Sequence, residues 1–217
     1  TVTLTQPDNS SALSDGTYDN CTIRVTDNAS NTSSPLSVSS FTIGSNKPAL
    51  LQVTAVPTPD NVTTPQYTFF STLSGEINYS GDCSSSDNSA DADNNTITFN
   101  ALGDAQHADC TITVRDNAGN TSSTLDVNSF TIDTAAPSLS QVTAVPTPDN
   151  DSTPSYTFSS TEAGVITYSG GCGSSSSSAT SGDNTVILTQ SDNSTALSDA
   201  TYNCTIRVTD NASNTSS

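Results

Sequence analysis

Five cysteines are the residues of this chain with the clearest potential for chemistry. Cys83 and Cys172 lie 89 residues apart, and Cys21, Cys110 and Cys204 each precede a Thr-Ile pair, so the thiols occupy two recurring positions. Zinc and redox sites usually place two thiols in Cys-x-x-Cys spacing, which occurs nowhere here. The pattern therefore favours disulfides, formed within one chain or between chains.

Catalytic chemistry has little support in the sequence. His107 is the only histidine, so a nucleophile activated by histidine could form at one place at most. The Gly- and Ser-rich run at 170–178 is followed by no lysine and no helical pattern, which excludes a phosphate-binding loop. We expect that the chain is not an enzyme.

Acidic side chains recur in three loop positions and offer hard oxygen ligands. Ca²⁺ is the one cofactor for which they suggest a mechanism. The alternative is that Asp and Asn occur there because tight turns favour them through bonds from side chain to backbone. The recurring aspartates are Asp60 and Asp149, then Asp15, Asp104 and Asp199, then Asp27, Asp116 and Asp210.

An internal repeat must position all of these residues. The sequence of 48–61 returns at 137–150 after 89 residues, and the sequence of 1–34 returns at 185–217. A period of this size indicates an array of small domains along one chain. We divide the chain into repeat 1 (1–44), repeat 2 (48–133) and repeat 3 (137–217).

Repeat 2 has the pattern of an all-β domain. Short apolar alternations are separated by Pro, Gly, Asn and Asp turns, and no segment shows a helical period. The phase slips at Asn128-Ser129, which predicts a bulge. Seven strands are predicted, around Leu51–Val56, Tyr67–Phe69, Glu76–Ser80, Thr96–Phe99, Cys110–Val114, Leu125–Val127 and Phe130–Ile132. About seven such strands indicate an antiparallel β-sandwich.

The charge excludes several partners. Twenty-two acidic residues face four basic ones, for a net charge of −18. Such a chain repels nucleic acid and anionic lipid surfaces. No stretch approaches the roughly 18 consecutive apolar residues of a membrane span.

The string Leu-Ser-Asp-Gly-Thr-Tyr at 13–18, followed by CTIRVTDNASN at 21–31, resembles bacterial immunoglobulin-like domains of large surface proteins. In that family Tyr18 and Tyr202 would form the tyrosine corner, whose hydroxyl bonds to a nearby backbone group. Repeat 2 departs from the pattern because His107 stands near the tyrosine position. The resemblance implies tandem immunoglobulin-like sandwiches arranged head to tail, with neighbouring repeats as partners.

On that resemblance, repeat 1 is the C-terminal half of one domain, repeat 2 is complete and repeat 3 lacks its last strand. The family topology places the two cysteine positions side by side, which implies the pairs Cys83–Cys110 and Cys172–Cys204. Cys21 would pair outside 1–217. Disulfides imply an oxidising compartment, here the bacterial cell surface. The missing strands would come from continuation of the chain or from a neighbouring subunit.

The same topology predicts where a calcium ion would bind. Loops from the bottom of one domain face those at the top of the next. We therefore expect Asp60, Asp104 and Asp133 to face Asp210 and Asn211.

Two functions remain open. The first is a structural segment of an extracellular stalk, adhesin or filament that is stiffened by disulfides. The alternative is an adhesion module in which the variable loops at 84–93 and 173–183 bind a carbohydrate or protein receptor.

Overall fold

The computed structural model describes all residues from 1 to 217 and contains 21 β-strands and no helix. Every strand pairing is antiparallel and joins two strands of the same repeat, so no sheet crosses from one repeat into another. The expectation of an all-β chain with antiparallel sheets is confirmed.

The strands follow the repeat. Repeat 1 contains β1 (Gly16–Tyr18), β2 (Thr22–Ile23), β3 (Leu36–Ser37) and β4 (Phe41–Ile43). Repeat 2 contains β5 (Leu50–Thr54), β6 (Gln66–Ser71), β7 (Gly75–Ser80), β8 (Ser89–Ala90), β9 (Asn94–Thr98), β10 (Ala105–His107), β11 (Thr111–Asp116), β12 (Leu125–Asp126) and β13 (Phe130–Ile132). Repeat 3 contains β14 (Leu139–Thr143), β15 (Ser155–Ser160), β16 (Gly164–Ser169), β17 (Cys172–Gly173), β18 (Ser178–Ala179), β19 (Gly182–Ile187), β20 (Thr189–Gln190) and β21 (Thr205–Thr209).

Repeat 2 has three sheets around one core. Their strand orders are β5-β6-β9, β12-β11-β7-β8 and β10-β13. Alternation places Tyr67 and Phe69 of β6 at 0% exposure, and Ile112 and Val114 of β11 at 1% and 0%. Side chains from all these sheets join one buried cluster of 14 residues.

Each of the seven strands predicted for repeat 2 is present, with two further short ones, β8 and β10. In β5 the side chains of Leu50 and Gln52 face the core, so those of Leu51 and Val53 face solvent and are 65% and 47% exposed. The final segment divides into two strands: β12 pairs with β11, and β13 pairs with β10. The change of partner explains the phase slip that suggested a bulge at Asn128-Ser129.

Both predicted disulfides are present, Cys83–Cys110 and Cys172–Cys204. Cys83 and Cys110 lie in the core of repeat 2, at 3% and 2% exposure. Cys21 is a free, half-buried thiol, and its pairing outside 1–217 stays a prediction.

The other two repeats have smaller cores. Repeat 3 has a buried cluster of six residues. In repeat 1 no residue is buried, and the ring of Tyr18 stacks on that of Phe41, with centroids 5.2 Å apart. Apolar burial is thus concentrated in repeat 2.

We predict that Cys83→Ala with Cys110→Ala destabilises repeat 2 by about 3–4 kcal/mol, because the disulfide closes a loop of 27 residues in the unfolded chain. Urea denaturation of the oxidised proteins measures the loss. The control variant, Cys172→Ala with Cys204→Ala, removes the disulfide that closes a loop of 32 residues in repeat 3. It should leave the unfolding transition of repeat 2 unchanged. A loss below about 1 kcal/mol in repeat 2 would contradict the prediction.

Candidate functional site at the repeat junctions

Two linkers, 45–47 and 134–136, separate the repeats, and an aspartate anchors each linker to the repeat that precedes it. Asp15 Oδ2 accepts bonds of 3.0 Å from both the backbone N and the Oγ of Ser45. In the next repeat Asp104 Oδ1 accepts from the N and Oγ1 of Thr134, at 3.2 and 2.9 Å. Two pairs that lie 89 residues apart therefore start the two linkers in the same way.

An asparagine of each following repeat then bonds to the last residue of the repeat before it. Asn120 Nδ2 donates to Gly44 O at 2.9 Å, and this contact defines the first junction. Asn214 Nδ2 donates to Asp133 O at 2.8 Å, and this contact defines the second junction. The donors and acceptors occupy equivalent positions, so the same hydrogen bond forms between successive repeats at both junctions.

The local turn holds each asparagine in place. Asn120 donates its backbone N to Asp116 Oδ1 at 2.8 Å and its side-chain Nδ2 to Asp116 Oδ2 at 2.9 Å. Asp210 receives the same two bonds from Asn214, at 2.9 and 3.0 Å. A short loop after an antiparallel strand thus orients an amide whose second hydrogen is free to reach the neighbouring repeat.

The second junction contains a group of three acids. Oxygen atoms of Asp133, Glu162 and Asp210 all lie within 4.8 Å of one another. Asp133 and Glu162 are half-buried, and Asp210 is 8% exposed. At the first junction Gly44 and Leu73 occupy the positions of Asp133 and Glu162, so the acidic group belongs to one junction alone.

These carboxylates influence one another. Burial and then the charges of Asp133 and Asp210 raise the pKa of Glu162. At the first junction, the bond from the side chain of Asn120 lowers the pKa of Asp116. Three close carboxylates can share a proton or provide the hard oxygen ligands that Ca²⁺ prefers.

The residues predicted for calcium are only partly brought together. Asp133 and Asp210 meet in the acidic group. Asp60 bonds to the backbone of Val62, Asp104 anchors Thr134, and Asn211 is exposed outside the group.

Sequence reasoning did not assign Glu162, Asn120 or Asn214 to the junctions. A signal for the asparagines is present in the Asp-Asn-Ala-x-Asn string, which occurs at 27–31, 116–120 and 210–214. Glu162 has no such signal because repeat 2 has Leu73 at the equivalent position.

The corner bond occurs in every repeat. Tyr18 donates to Ser14 O at 2.8 Å, and Tyr202 donates to Ser198 O at 3.1 Å. His107 Nε2 lies 3.1 Å from Gly103 O, which is the same four-residue step, so a ring nitrogen replaces the phenol. The imidazole is 6% exposed and packs on Phe130, with centroids 5.3 Å apart.

Comparisons with protein-family models, curated proteins and solved structures gave no significant match. No helix of the structure is long and apolar enough to cross a membrane.

We predict that Glu162→Gln raises the melting temperature at pH 7, because it removes one of three repelling charges. The raised pKa means that the folded state binds more protons than the unfolded state above the ordinary value of 4.5. Wild-type stability therefore falls as the pH rises through this window, and the variant lacks that fall.

Calorimetry between pH 4 and pH 8 measures the melting temperatures of the wild type and of Glu162→Gln. The difference between them should shrink as the pH falls toward about 4.5. Glu76→Gln changes the other glutamate of the chain, on the exposed side of β7, and serves as the control. A constant difference across the pH range would contradict the repulsion between the three acids.

Proposed function

We propose that the chain is a structural segment of an extracellular bacterial stalk or filament, built from immunoglobulin-like sandwiches arranged head to tail. One observation carries the proposal: the bond from Asn120 to Gly44 recurs from Asn214 to Asp133. An identical contact at each junction gives successive domains the same relative orientation. A chain of such steps forms a regular rod.

The sandwich arrangement is supported by the core of repeat 2. Inward side chains of its three antiparallel sheets share one cluster, and β12 and β13 of the final segment pair with different strands, β11 and β10. The disulfide from Cys83 to Cys110 lies inside that cluster. These features match the expectation for an immunoglobulin-like domain.

The extracellular location is supported by chemistry. Disulfides persist in oxidising compartments, and each larger repeat has one. A net charge of −18 keeps a long repetitive chain soluble and separates it from its neighbours. We propose a mechanical role and no catalysis, since the one histidine is committed to the corner bond of repeat 2.

The proposal is tested by the orientation of repeats 2 and 3 in solution. Residual dipolar couplings of both repeats should fit a single alignment tensor in the wild type. Asn214→Ala removes the bond to Asp133, which contributes about 1 kcal/mol, and should give each repeat a tensor of its own.

Asn31→Ala is the matched control. Asn31 makes the same bond to Asp27, at 3.0 Å, but reaches no other repeat. It should lose the local turn and leave the junctions unchanged. Separate tensors for repeats 2 and 3 in the wild type would contradict a rod.

The second candidate is an adhesion module with calcium at a junction, which is favoured by the closeness of Asp133, Glu162 and Asp210. A calcium ion held there would raise the melting temperature of the wild type and have a much smaller effect on Glu162→Gln. Calorimetry with calcium and with a chelator makes the comparison. An equal response of the two proteins would exclude this site.

A further inference from the structure

The histidine of repeat 2 has one ring nitrogen without a partner. The His107 side chain is 7% exposed, and its Nδ1 is buried and has no hydrogen-bond partner. The other nitrogen, Nε2, lies 3.1 Å from Gly103 O, which can only accept a hydrogen bond. In the neutral ring Nε2 therefore carries the proton, and Nδ1 presents a lone pair.

A carboxylate faces that lone pair. Asp82 Oδ2, in the turn after β7, lies 3.4 Å from His107 Nδ1. The Asp82 side chain is 61% exposed, so water and ions reach the carboxylate from solvent. Two acceptors that face each other repel, and a cation between them removes the repulsion. That cation is either a proton or a metal ion.

The separation of the two atoms favours a metal ion. A hydrogen bond from an imidazolium to a carboxylate would bring N and O to about 2.7–2.9 Å. Two ligands of a tetrahedral Zn²⁺, each about 2.0–2.1 Å from the ion, are about 3.3 Å apart. The observed distance of 3.4 Å agrees with the second arrangement. A histidine that binds a metal also usually donates its other N–H to a carboxylate or backbone carbonyl, as Nε2 does here.

Repeat 3 provides an independent comparison. Tyr202 makes the corner bond there, and Gly171 occupies the position of Asp82, 89 residues later. A Cβ at Gly171 would lie 3.8 Å from the ring of Tyr202, so the two positions are neighbours in both repeats. The acid is thus present where the ring is an imidazole and absent where it is a phenol. A histidine that served only the corner bond would not need the acid.

A second acid lies beside the same turn. Asp109 Oδ1 accepts a hydrogen bond from Asp82 N at 3.1 Å. Asp82 and Asp109 each precede a cysteine of the disulfide between Cys83 and Cys110. The imidazole and both acids therefore lie where the disulfide joins two distant parts of the repeat.

We propose that His107 Nδ1 and the carboxylate of Asp82 bind a divalent metal ion of the Zn²⁺ type, with water completing its coordination. A nitrogen donor beside an oxygen donor suits Zn²⁺ better than Ca²⁺, which takes oxygen ligands. The ion would join the turn after β7 to β10, next to the disulfide, and would stabilise repeat 2 because it binds the folded state. The site uses none of the residues that form the junction contacts, so it does not depend on the proposed rod.

NMR observes the site directly because the chain has a single histidine. In protein labelled with ¹⁵N-histidine, the two ring nitrogens give one pair of signals. Addition of Zn²⁺ to the chelator-treated protein at pH 7 should shift the Nδ1 signal and leave the proton on Nε2. Calorimetry should show that the melting temperature of repeat 2 rises with the concentration of Zn²⁺.

Three variants assign the effect to these side chains. Asp82→Asn removes the charged ligand and should weaken Zn²⁺ binding about 10- to 100-fold. His107→Tyr places the corner residue of the other repeats in repeat 2, which should fold but no longer respond to Zn²⁺ in calorimetry. Asp91→Asn is the matched control, because it removes the same charge from an exposed position between β8 and β9, and it should bind Zn²⁺ like the wild type.

The proposal is overturned if Zn²⁺ leaves the ring signals unchanged, or if it shifts them equally in the wild type and in Asp82→Asn. It is also overturned if both ring nitrogens carry protons at pH 7 and excess Zn²⁺ does not displace the proton on Nδ1. A proton would then fill the position between the imidazole and the carboxylate.

Discussion

The stability of repeat 2 depends on a contact between its final strand and side chains far back in the chain. In repeat 2, Phe130 stacks on Phe99 with centroids 6.3 Å apart and packs on His107, while Ile132 pairs with the backbone of Asp60. Closing this long loop is entropically costly, and the buried cluster of 14 residues repays it. The buried cluster of repeat 3 has six residues. The disulfides act on the same problem by restricting the unfolded chain.

The junctions reuse a local turn for a long-range purpose. Asp116 at the end of β11 and Asp210 directly after β21 each hold the asparagine four residues later, and the amide of that asparagine donates to the preceding repeat. The same turn and the same hydrogen bond thus occur at both junctions, while the surrounding side chains differ. Leu73 and Gly44 leave Asp116 without acidic neighbours at these two positions of the first junction, whereas Glu162 and Asp133 place three carboxylates together at the second. The two junctions should therefore respond differently to pH and to cations, even though their backbone contacts are the same.

The longer strands could be predicted because alternation of apolar residues survives in five or six consecutive positions, as in β6 and β11. The short strands β8 and β10 leave no such pattern and exist because a partner strand lies beside each of them. Asp133 and Asp210 were predictable as junction residues from the repeat together with the topology that the family resemblance implies. Glu162 was not predictable, because its position beside them depends on the angle between repeats 2 and 3. No local sequence pattern encodes that angle.

Small-angle X-ray scattering, extrapolated to zero concentration, tests the head-to-tail array most directly. A compact domain of 217 residues would have a radius of gyration of about 17 Å. A rod of stacked repeats predicts a clearly larger radius and a pair-distance distribution with a long tail and a narrow cross-section. A radius near 17 Å with a symmetric distribution would contradict the account.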